Sequence, residues 1–187
     1  MPILGVIASS YAQATSSYDF IEKITVSGSS TNSVTFSTIP TTYKHLQLRV
    51  MARNSRNAVN GPNWISFNGD TSSANYKNPF LYSNGDTTST GSGFSTTDPG
   101  TGIAAAGNTA GSFQFGVALV TIPDYRGSTF KTLLSPGGFN NLDVGDHLSA
   151  MNGGLWLNTS AITSITFSAF TNPLIAGSVF SLYGIKG

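Results

Sequence analysis

Residues 45–53 alternate between apolar and mostly polar side chains, and this period of two constrains the fold more than any other feature of the sequence. Such alternation predicts a β-strand with one buried face, because successive side chains of a strand point to opposite faces of the sheet. At ~3.3 Å per residue the strand is roughly 30 Å long. A loop rich in Asn, Gly and Pro follows, and residues 64–67 form a second, shorter predicted strand. The predicted buried side chains of the first strand are Leu46, Leu48, Val50 and Ala52.

The surface of this protein must be built from neutral polar groups. Charged residues make up 9% of the 187 residues, the formal net charge is +1, and Ser and Thr together number 48. Such a surface has weak long-range fields, so the composition argues against a nucleic-acid partner held by phosphate contacts. Low net charge also protects a monomer poorly against self-association, which favours an assembled state. No apolar segment approaches the ~20 residues that span a bilayer, so no membrane partner is expected.

Short apolar runs separated by Gly, Ser and Asn predict eight to ten strands, and no window combines helical periodicity with helix caps. No internal repeat indicates a propeller or a β-helix. We predict an all-β fold, a single-domain two-sheet antiparallel sandwich of the jelly-roll type over residues 18–187, because the chain is too long for an immunoglobulin-like fold of ~100 residues. Residues 1–17 lack the basic region of a signal peptide, and we expect them to form an extended N-terminal arm.

Some segments carry a more specific expectation. Residues 20–26 are expected to bury Phe20 and to form a hairpin with a short strand at 34–36. Asn68 and the two residues after it have the signature of a turn with positive φ at its centre. A strand over residues 113–122 is expected to direct four side chains into the core, namely Phe113, Phe115, Val117 and Leu119.

The last predicted strand, residues 179–185, is apolar on both faces. Phe180 and Leu182 lie on one face, whereas Tyr183 and Ile185 lie on the other. A strand with two apolar faces is covered on both sides. Either a loop or the N-terminal arm covers the second face, or that face is a subunit interface. Tyr183 and Ile185 are therefore candidate interface residues.

Both tryptophans are expected to point away from the main core. Alternation places Ile65 and Phe67 in the core and Trp64 on the opposite face, and the leucines that flank Trp156 imply the same for that residue. A tryptophan placed in this way is covered by a loop, packed in an oligomer interface, or available to stack on a sugar ring. Trp64 and Trp156 are therefore also candidate interface residues.

Three arginines, Arg49, Arg53 and Arg56, lie on or just beyond the polar face of the first strand. Arg49 and Arg53 lie ~13 Å apart along an extended strand, so they cannot jointly bind one phosphate group. We expect these side chains to form salt bridges with another subunit or with loops of this chain. All three arginines are candidate interface residues.

The sequence has no recognisable catalytic device. It contains no cysteine, two histidines and no G-x-S-x-G motif, which excludes a thiol nucleophile and leaves no activated serine. Asp143 and Asp146 are the one tight pair of carboxylates, but their spacing matches no EF-hand loop and is better explained by turn chemistry than by a glycosidase site. We expect a protein that is not an enzyme and that holds no metal and no cofactor.

Several short sequence motifs at the two ends and in the middle of the chain together form a distinctive pattern. They are MPILG at 1–5, Ala8-Ser9, Tyr18-Asp19, VTFSTIP at 34–40, Tyr43 with HLQLR at 45–49, FNGD at 67–70, LWLNT at 155–159, AITSI at 161–165 and YGIKG at 183–187. Together they resemble a group of small structural proteins of tailed-phage virions. The similarity runs over most of the chain and is weakest at residues 76–111.

The resemblance implies a structural component of the virion. The first expectation is a capsid decoration, or cement, protein that forms a trimer or another symmetric homo-oligomer and contacts the major capsid protein or other virion proteins. The alternative is a tail or fibre accessory module for host adhesion, which binds a host surface glycan through Trp64 or Trp156. The matching phrases are structural and imply no enzymatic activity.

Overall fold

The computed structural model describes residues 17–28, 30–84, 90–95, 98, 100–140, 147–169 and 172–187. Apart from one 3-10 turn at Ser73–Asn75, these residues form strands and loops, and none of their helices is long and apolar enough to cross a membrane. The expected arm, except for Ser17, lies outside the described residues, as do Asp143 and Asp146. In chain order the strands are β1 (Tyr18–Thr25), β2 (Ser33–Phe36), β3 (His45–Ala52), β4 (Asn63–Phe67), β5 (Tyr76–Ser83), β6 (Thr90–Ser95), β7 (Thr101–Ile103), β8 (Gly116–Ile122), β9 (Lys131–Phe139), β10 (Leu148–Trp156), β11 (Ile165–Ala169) and β12 (Val179–Ile185).

The strands in the described part of the chain form two antiparallel sheets. The large sheet has eight strands in the order β1-β12-β3-β8-β9-β10-β5-β6, and the small sheet has four in the order β2-β11-β4-β7. A jelly roll is contained in these sheets, because β1-β12-β3-β8 packs on β2-β11-β4-β7 and the chain changes sheet at every step except from β4 to β7. The predicted all-β, two-sheet sandwich of the jelly-roll type is therefore confirmed.

Four inserted strands widen the large sheet. β5 and β6 lie between β4 and β7 in the chain, and β9 and β10 lie between β8 and β11. All four extend the large sheet beyond β8, so this sheet has twice as many strands as the small one. The small sheet ends at the three-residue strand β7 and therefore covers only part of the inner face of the large sheet.

The core between the sheets follows the period-two pattern of β3. The four side chains that the sequence predicts to be buried on this strand are at most 4% exposed. Across the sandwich, the rings of Phe167 on β11 and Phe180 on β12 pack with their centroids 4.6 Å apart. Burial of each such side chain contributes ~1.5–3 kcal/mol to folding. The core therefore holds the two sheets together through contacts that are remote in sequence.

The Asn68-Gly69 turn after β4 is fixed by its own side chain. Both residues have positive φ, 53° and 72°, as the sequence predicts. The Asn68 side-chain oxygen accepts hydrogen bonds from the backbone N–H groups of Thr163 at 2.8 Å and Ser164 at 3.1 Å. Its amide group donates to the carbonyl oxygen of Ala161 at 2.8 Å. The turn is therefore tied to the segment that enters β11.

Two core aromatic residues hold the same turn from the inside. The Tyr76 hydroxyl donates to the carbonyl oxygen of Asp70 at 2.9 Å and accepts the backbone N–H of Phe67 at 3.0 Å. The Trp156 Nε1–H donates to Asp70 Oδ2 at 2.8 Å. Partial burial raises the pKa of the Asp70 carboxyl, but the hydrogen bonds from Trp156 and two neighbouring residues outweigh it, so the pKa lies below its usual value.

β1 contains a bulge that reverses one predicted orientation. Its register with β12 shifts between Phe20 and Glu22, so Ile21 is an extra residue on β1. As a result Phe20 is 59% exposed on the outer side of the sheet, where we had expected a buried side chain. The predicted hairpin is also wrong, because β1 pairs with β12 whereas β2 pairs with β11 in the other sheet.

The predicted orientation of β8 is wrong as well. Val117 and Leu119 are 56% and 38% exposed, whereas Ala118 and Val120 face the core and are at most 6% exposed. Both alternate sets of side chains on this strand are apolar, so periodicity alone does not identify the buried set. Phe113 precedes the strand and is 93% exposed.

Asp70→Asn is expected to destabilise the protein by ~1–2 kcal/mol at pH 7, because it weakens charge-assisted hydrogen bonds at the turn. A depressed folded-state pKa stabilises the fold above the unfolded value of ~3.9, and this contribution is lost as the pH falls through the folded-state pKa. The difference in the free energy of unfolding between wild type and variant, measured by urea denaturation, should therefore be smaller at pH 3 than at pH 7.

Asp19→Asn is the matched control, since Asp19 forms an exposed ion pair with Lys186 at 2.9 Å. This variant should lose less than ~1 kcal/mol at pH 7. Equal losses for the two variants, or a gap for Asp70→Asn that stays constant with pH, would contradict the role of the Asp70 carboxylate.

Candidate interaction surface

The outward faces of the two sheets have opposite chemistry. On the small sheet, the outward side chains of β2 and β11 are hydroxyl-bearing, and the Oγ1 atoms of Thr35 and Thr166 lie 3.1 Å apart. On the large sheet, the outward side chains are mainly apolar. A hydroxyl-rich face is stable in water, whereas exposed apolar area of this extent marks a contact surface.

Six outward side chains define what we call the outer apolar face. They belong to five neighbouring strands, β3, β8, β9, β10 and β5. Each is between 38% and 58% exposed, although each extends from a regular strand. The six residues are Met51, Leu81, Val117, Leu119, Leu134 and Met151.

The strand register makes the outer apolar face continuous. Met51 pairs with Val117, and Met151 lies between Pro136 on β9 and Leu81 on β5. Cross-strand partners are close enough for their side chains to touch. Among the described outward positions of β3, β8, β9, β10 and β5, the charged side chains are Arg49 on β3 and Lys77 on β5. The face is therefore apolar between two cationic side chains on its outermost strands.

Three of the predicted interface residues lie at one end of this face. The guanidinium of Arg49 lies 4.5 Å from the ring centroid of Tyr183, and its Nε donates to Gln47 Oε1 at 3.2 Å. The Tyr183 ring in turn meets Phe20 edge-on, with 5.8 Å between centroids. Ile185 pairs with strands on both sides and is partly buried. Arg49 therefore packs on an aromatic residue of its own chain, as an arginine does at the rim of a contact surface.

The two tryptophans differ in position. Trp64 lies on the opposite face of β4 from Ile65, as predicted, but it is 7% exposed because the chain near Gly100 lies over it. Trp156 is 1% exposed and packs in the main core, with its ring 5.5 Å from that of Phe67, so its predicted outward orientation is wrong. The leucines beside Trp156 take the outward direction because both faces of the large sheet are apolar.

Arg53 is also placed differently from the prediction. β3 ends at Ala52, and the Arg53 side chain turns inward, where it is 7% exposed. Its guanidinium donates four hydrogen bonds of 2.7 to 3.2 Å to backbone carbonyl oxygens in the loop between β7 and β8. Arg53 therefore organises this loop and does not contribute to the outer face. The acceptors are Asn108, Ala110, Gly111 and Gln114.

Lys131 on β9 also donates its hydrogen bonds to backbone carbonyl oxygens of loops. It is 1% exposed, and its Nζ donates to the carbonyl oxygens of Gly127 at 2.7 Å, Thr129 at 2.6 Å and Thr159 at 3.2 Å. Burial lowers the pKa of the Lys131 ammonium group, and the negative charge of Asp124 acts in the opposite direction. Two of the nine cationic residues thus serve to hold loops together.

Arg56 lies in the loop before β4, away from the outer apolar face. Its guanidinium donates to the side-chain oxygen of Asn60 at 2.7 Å and to the carbonyl oxygen of the same residue at 3.1 Å. Both residues line a cleft between this loop, β4, β5 and β10. Among the described residues, no group of three His, Cys, Asp or Glu side chains could hold a metal ion.

Sequence reasoning missed the outer apolar face because it assigned one buried face to each strand. A usable signal was present in β8, where Val117 and Leu119 alternate with an equally apolar set. Two complete apolar sets on one strand indicate cover on both sides, and the same reasoning had been applied only to the last strand.

No protein-family model matches the chain, and no curated protein or solved structure matches it.

Arg53→Met is expected to lower the free energy of unfolding by ~3 kcal/mol, because it leaves one buried and three partly buried carbonyl oxygens without their donor. Arg49→Met is the control, since it removes the same charge from an exposed position on β3 and should cost less than ~1 kcal/mol. Guanidinium denaturation followed by circular dichroism measures both. Similar losses for the two variants would contradict the buried role of Arg53.

Proposed function

We propose that this chain is a non-enzymatic structural protein of a tailed-phage virion that assembles into a symmetric homo-oligomer through its outer apolar face. The observation that carries the proposal is the continuous apolar surface of Met51, Leu81, Val117, Leu119, Leu134 and Met151 on the large sheet. An assembly role also agrees with the low charge of the chain.

A second copy of the chain is the occupant that the outer apolar face fits best. The face has two cationic side chains, Arg49 and Lys77, and no acidic one at the described positions of its five strands, so a strongly charged partner would leave most of its charges unpaired there. An apolar face is complementary to itself, which is what an isologous contact about a two-fold axis requires. Two such sheets pack ~10 Å apart, as the sheets of a sandwich do.

The size of the face is sufficient for a specific contact. Five strands ~4.8 Å apart make it roughly 24 Å wide, and strands of seven residues make it roughly 23 Å tall. The product is roughly 550 Å², so a two-fold contact through this face buries roughly 1,100 Å² in total. This area lies at the lower end of the range for specific interfaces.

The virion assignment rests on the resemblance of the sequence phrases to small structural proteins of tailed phages. Under this assignment the oligomer is a capsid decoration protein that attaches to the major capsid protein or another virion protein. The same oligomer would serve a tail or fibre accessory equally well, so its position on the particle is a separate question. The hydroxyl-rich face of the small sheet is then the side turned to water.

The double variant Leu119→Lys with Met151→Lys is expected to be monomeric in sedimentation-velocity experiments, whereas the wild type sediments as an oligomer. Two lysines within the face would bury unpaired positive charge in an apolar contact, which is costly. The control is Thr35→Lys with Ser168→Lys, which adds the same charge to the outward face of the small sheet and should keep the wild-type mass. A monomeric wild type, or a Leu119/Met151 variant with the wild-type mass, contradicts the proposed interface.

Imaging of the purified particle by cryo-electron microscopy tests the virion assignment. Density for a two-sheet sandwich on the head supports the decoration role, and density on the tail or its fibres supports the accessory role. If the chain is absent from purified particles, the virion assignment is overturned.

A further inference from the structure

A cleft opens where the large sheet extends past the small one. It lies between the inserted strands β5 and β10 on one side and β4, β7 and the loop before β4 on the other. Its volume is about 490 Å³, within the ~300–1,000 Å³ that is typical of small-ligand sites. We call it the insertion cleft, because the inserted strands form one of its walls.

The burial gradient along β5 shows why this cleft exists. The inward side chains of this strand change from fully buried at Tyr76 to 37% exposed at Tyr82. The inward side chains of β10 follow the same trend, from Trp156 at 1% exposed to the half-buried Asn152 and Ala150. Because β7 is three residues long, the inner face of the large sheet emerges from beneath the small sheet at this point.

Aromatic side chains form the apolar part of the cleft. Phe80 and Tyr82 point inward from β5, with ring centroids 6.2 Å apart and ring planes inclined by 33°. Trp64 borders the opposite wall, beside Gly102 on β7. Trp64 is 7% exposed, so the accessible ring is that of Tyr82. The cleft thus presents one open aromatic face and two supporting rings.

Amide groups form most of the polar part. Asn152 and Asn63 line the cleft, and Asn63 is 1% exposed. The Asn63 amide group donates to the carbonyl oxygen of Gly61 at 2.7 Å, while its side-chain oxygen accepts no hydrogen bond from any described residue. Asn63 is enclosed, so the amide group that a ligand in the cleft can reach is that of the partly buried Asn152. This group can both donate to and accept from a ligand hydroxyl.

The charged residues of the cleft balance each other. Arg56 and Asp98 both line it and carry opposite charges, and Asn60 already holds the Arg56 guanidinium. The formal charge of this lining is therefore zero, which disfavours an anionic or cationic ligand. An extended peptide is also disfavoured, because β7 is the edge strand at this cleft and its three residues offer too short an edge for strand addition.

We propose that the insertion cleft binds a neutral saccharide. A sugar ring has an apolar C–H face that packs on an aromatic ring and a rim of hydroxyls that pair with amide groups, and both elements are present in the cleft. This site is independent of the proposed assembly role. Phe80 and Tyr82 point away from Leu81, and Asn152 away from Met151, so the cleft and the outer apolar face lie on opposite sides of the same strands.

The test uses the full-length protein and neutral oligosaccharides that end in glucose, galactose, mannose or N-acetylglucosamine. Saturation-transfer NMR identifies binding, and calorimetry measures the dissociation constant. Tyr82→Ala and Asn152→Ala should each weaken binding about tenfold, the equivalent of one aromatic contact or hydrogen bond. Circular dichroism verifies that both variants are folded.

Leu81→Ala and Met151→Ala are matched controls, because each alters the neighbouring residue on the opposite side of the same strand. They should bind the saccharide as the wild type does, even if self-association weakens. The proposal is overturned if no saccharide of the panel binds at millimolar concentration, or if folded Tyr82→Ala and Asn152→Ala bind with wild-type affinity. The proposal is also overturned if a charged oligosaccharide binds more tightly than the neutral ones and its binding depends on salt.

Discussion

Over the residues that the structure describes, the large sheet has eight strands and the small sheet that packs on it has four, and the surfaces of this protein follow from that inequality. A jelly roll with two sheets of equal width would cover the inner face of both. Here β5 and β6, together with β9 and β10, extend one sheet beyond its partner. Inward side chains of β5 and β10 line a cleft, and outward side chains of β5, β9 and β10 supply half of the outer apolar face, namely Leu81, Leu134 and Met151.

A chain with so few charges uses them where backbone polar groups need partners. Arg53 donates hydrogen bonds to four carbonyl oxygens of the loop between β7 and β8, and Lys131 donates to three carbonyl oxygens of two further loops. Asn68 and Asp70 perform the same task at the turn after β4. Long connections are thereby held in place by groups that lie away from the outer apolar face. Such a face is suited to packing against another copy of itself.

The sequence was sufficient to predict the all-β sandwich, the buried face of β3 and the positive φ of Asn68 and Gly69, because each depends on local periodicity or turn chemistry. For the same reason, Arg49 was correctly placed opposite the buried side chains of β3, and Tyr183 and Ile185 were correctly placed opposite Phe180 and Leu182. The side chains of Arg53 and Trp156 were not, because their positions depend on carbonyl groups and a carboxylate that are distant in sequence. Periodicity also could not predict which face of β8 is buried, since both of its faces are apolar.

The most direct measurement of the central claim is the reactivity of a single thiol in the assembled protein. The chain has no cysteine, so Met151→Cys places a unique probe on the outer apolar face and Thr35→Cys places one on the hydroxyl-rich face. Both variants are labelled with a maleimide at a concentration at which sedimentation confirms the wild-type oligomer. If the outer apolar face is the interface, labelling at position 151 is about tenfold or more slower in the oligomer than in the monomer, because only the dissociated fraction reacts, while labelling at position 35 is unchanged. Equal labelling of the two positions in the oligomer would contradict this interface.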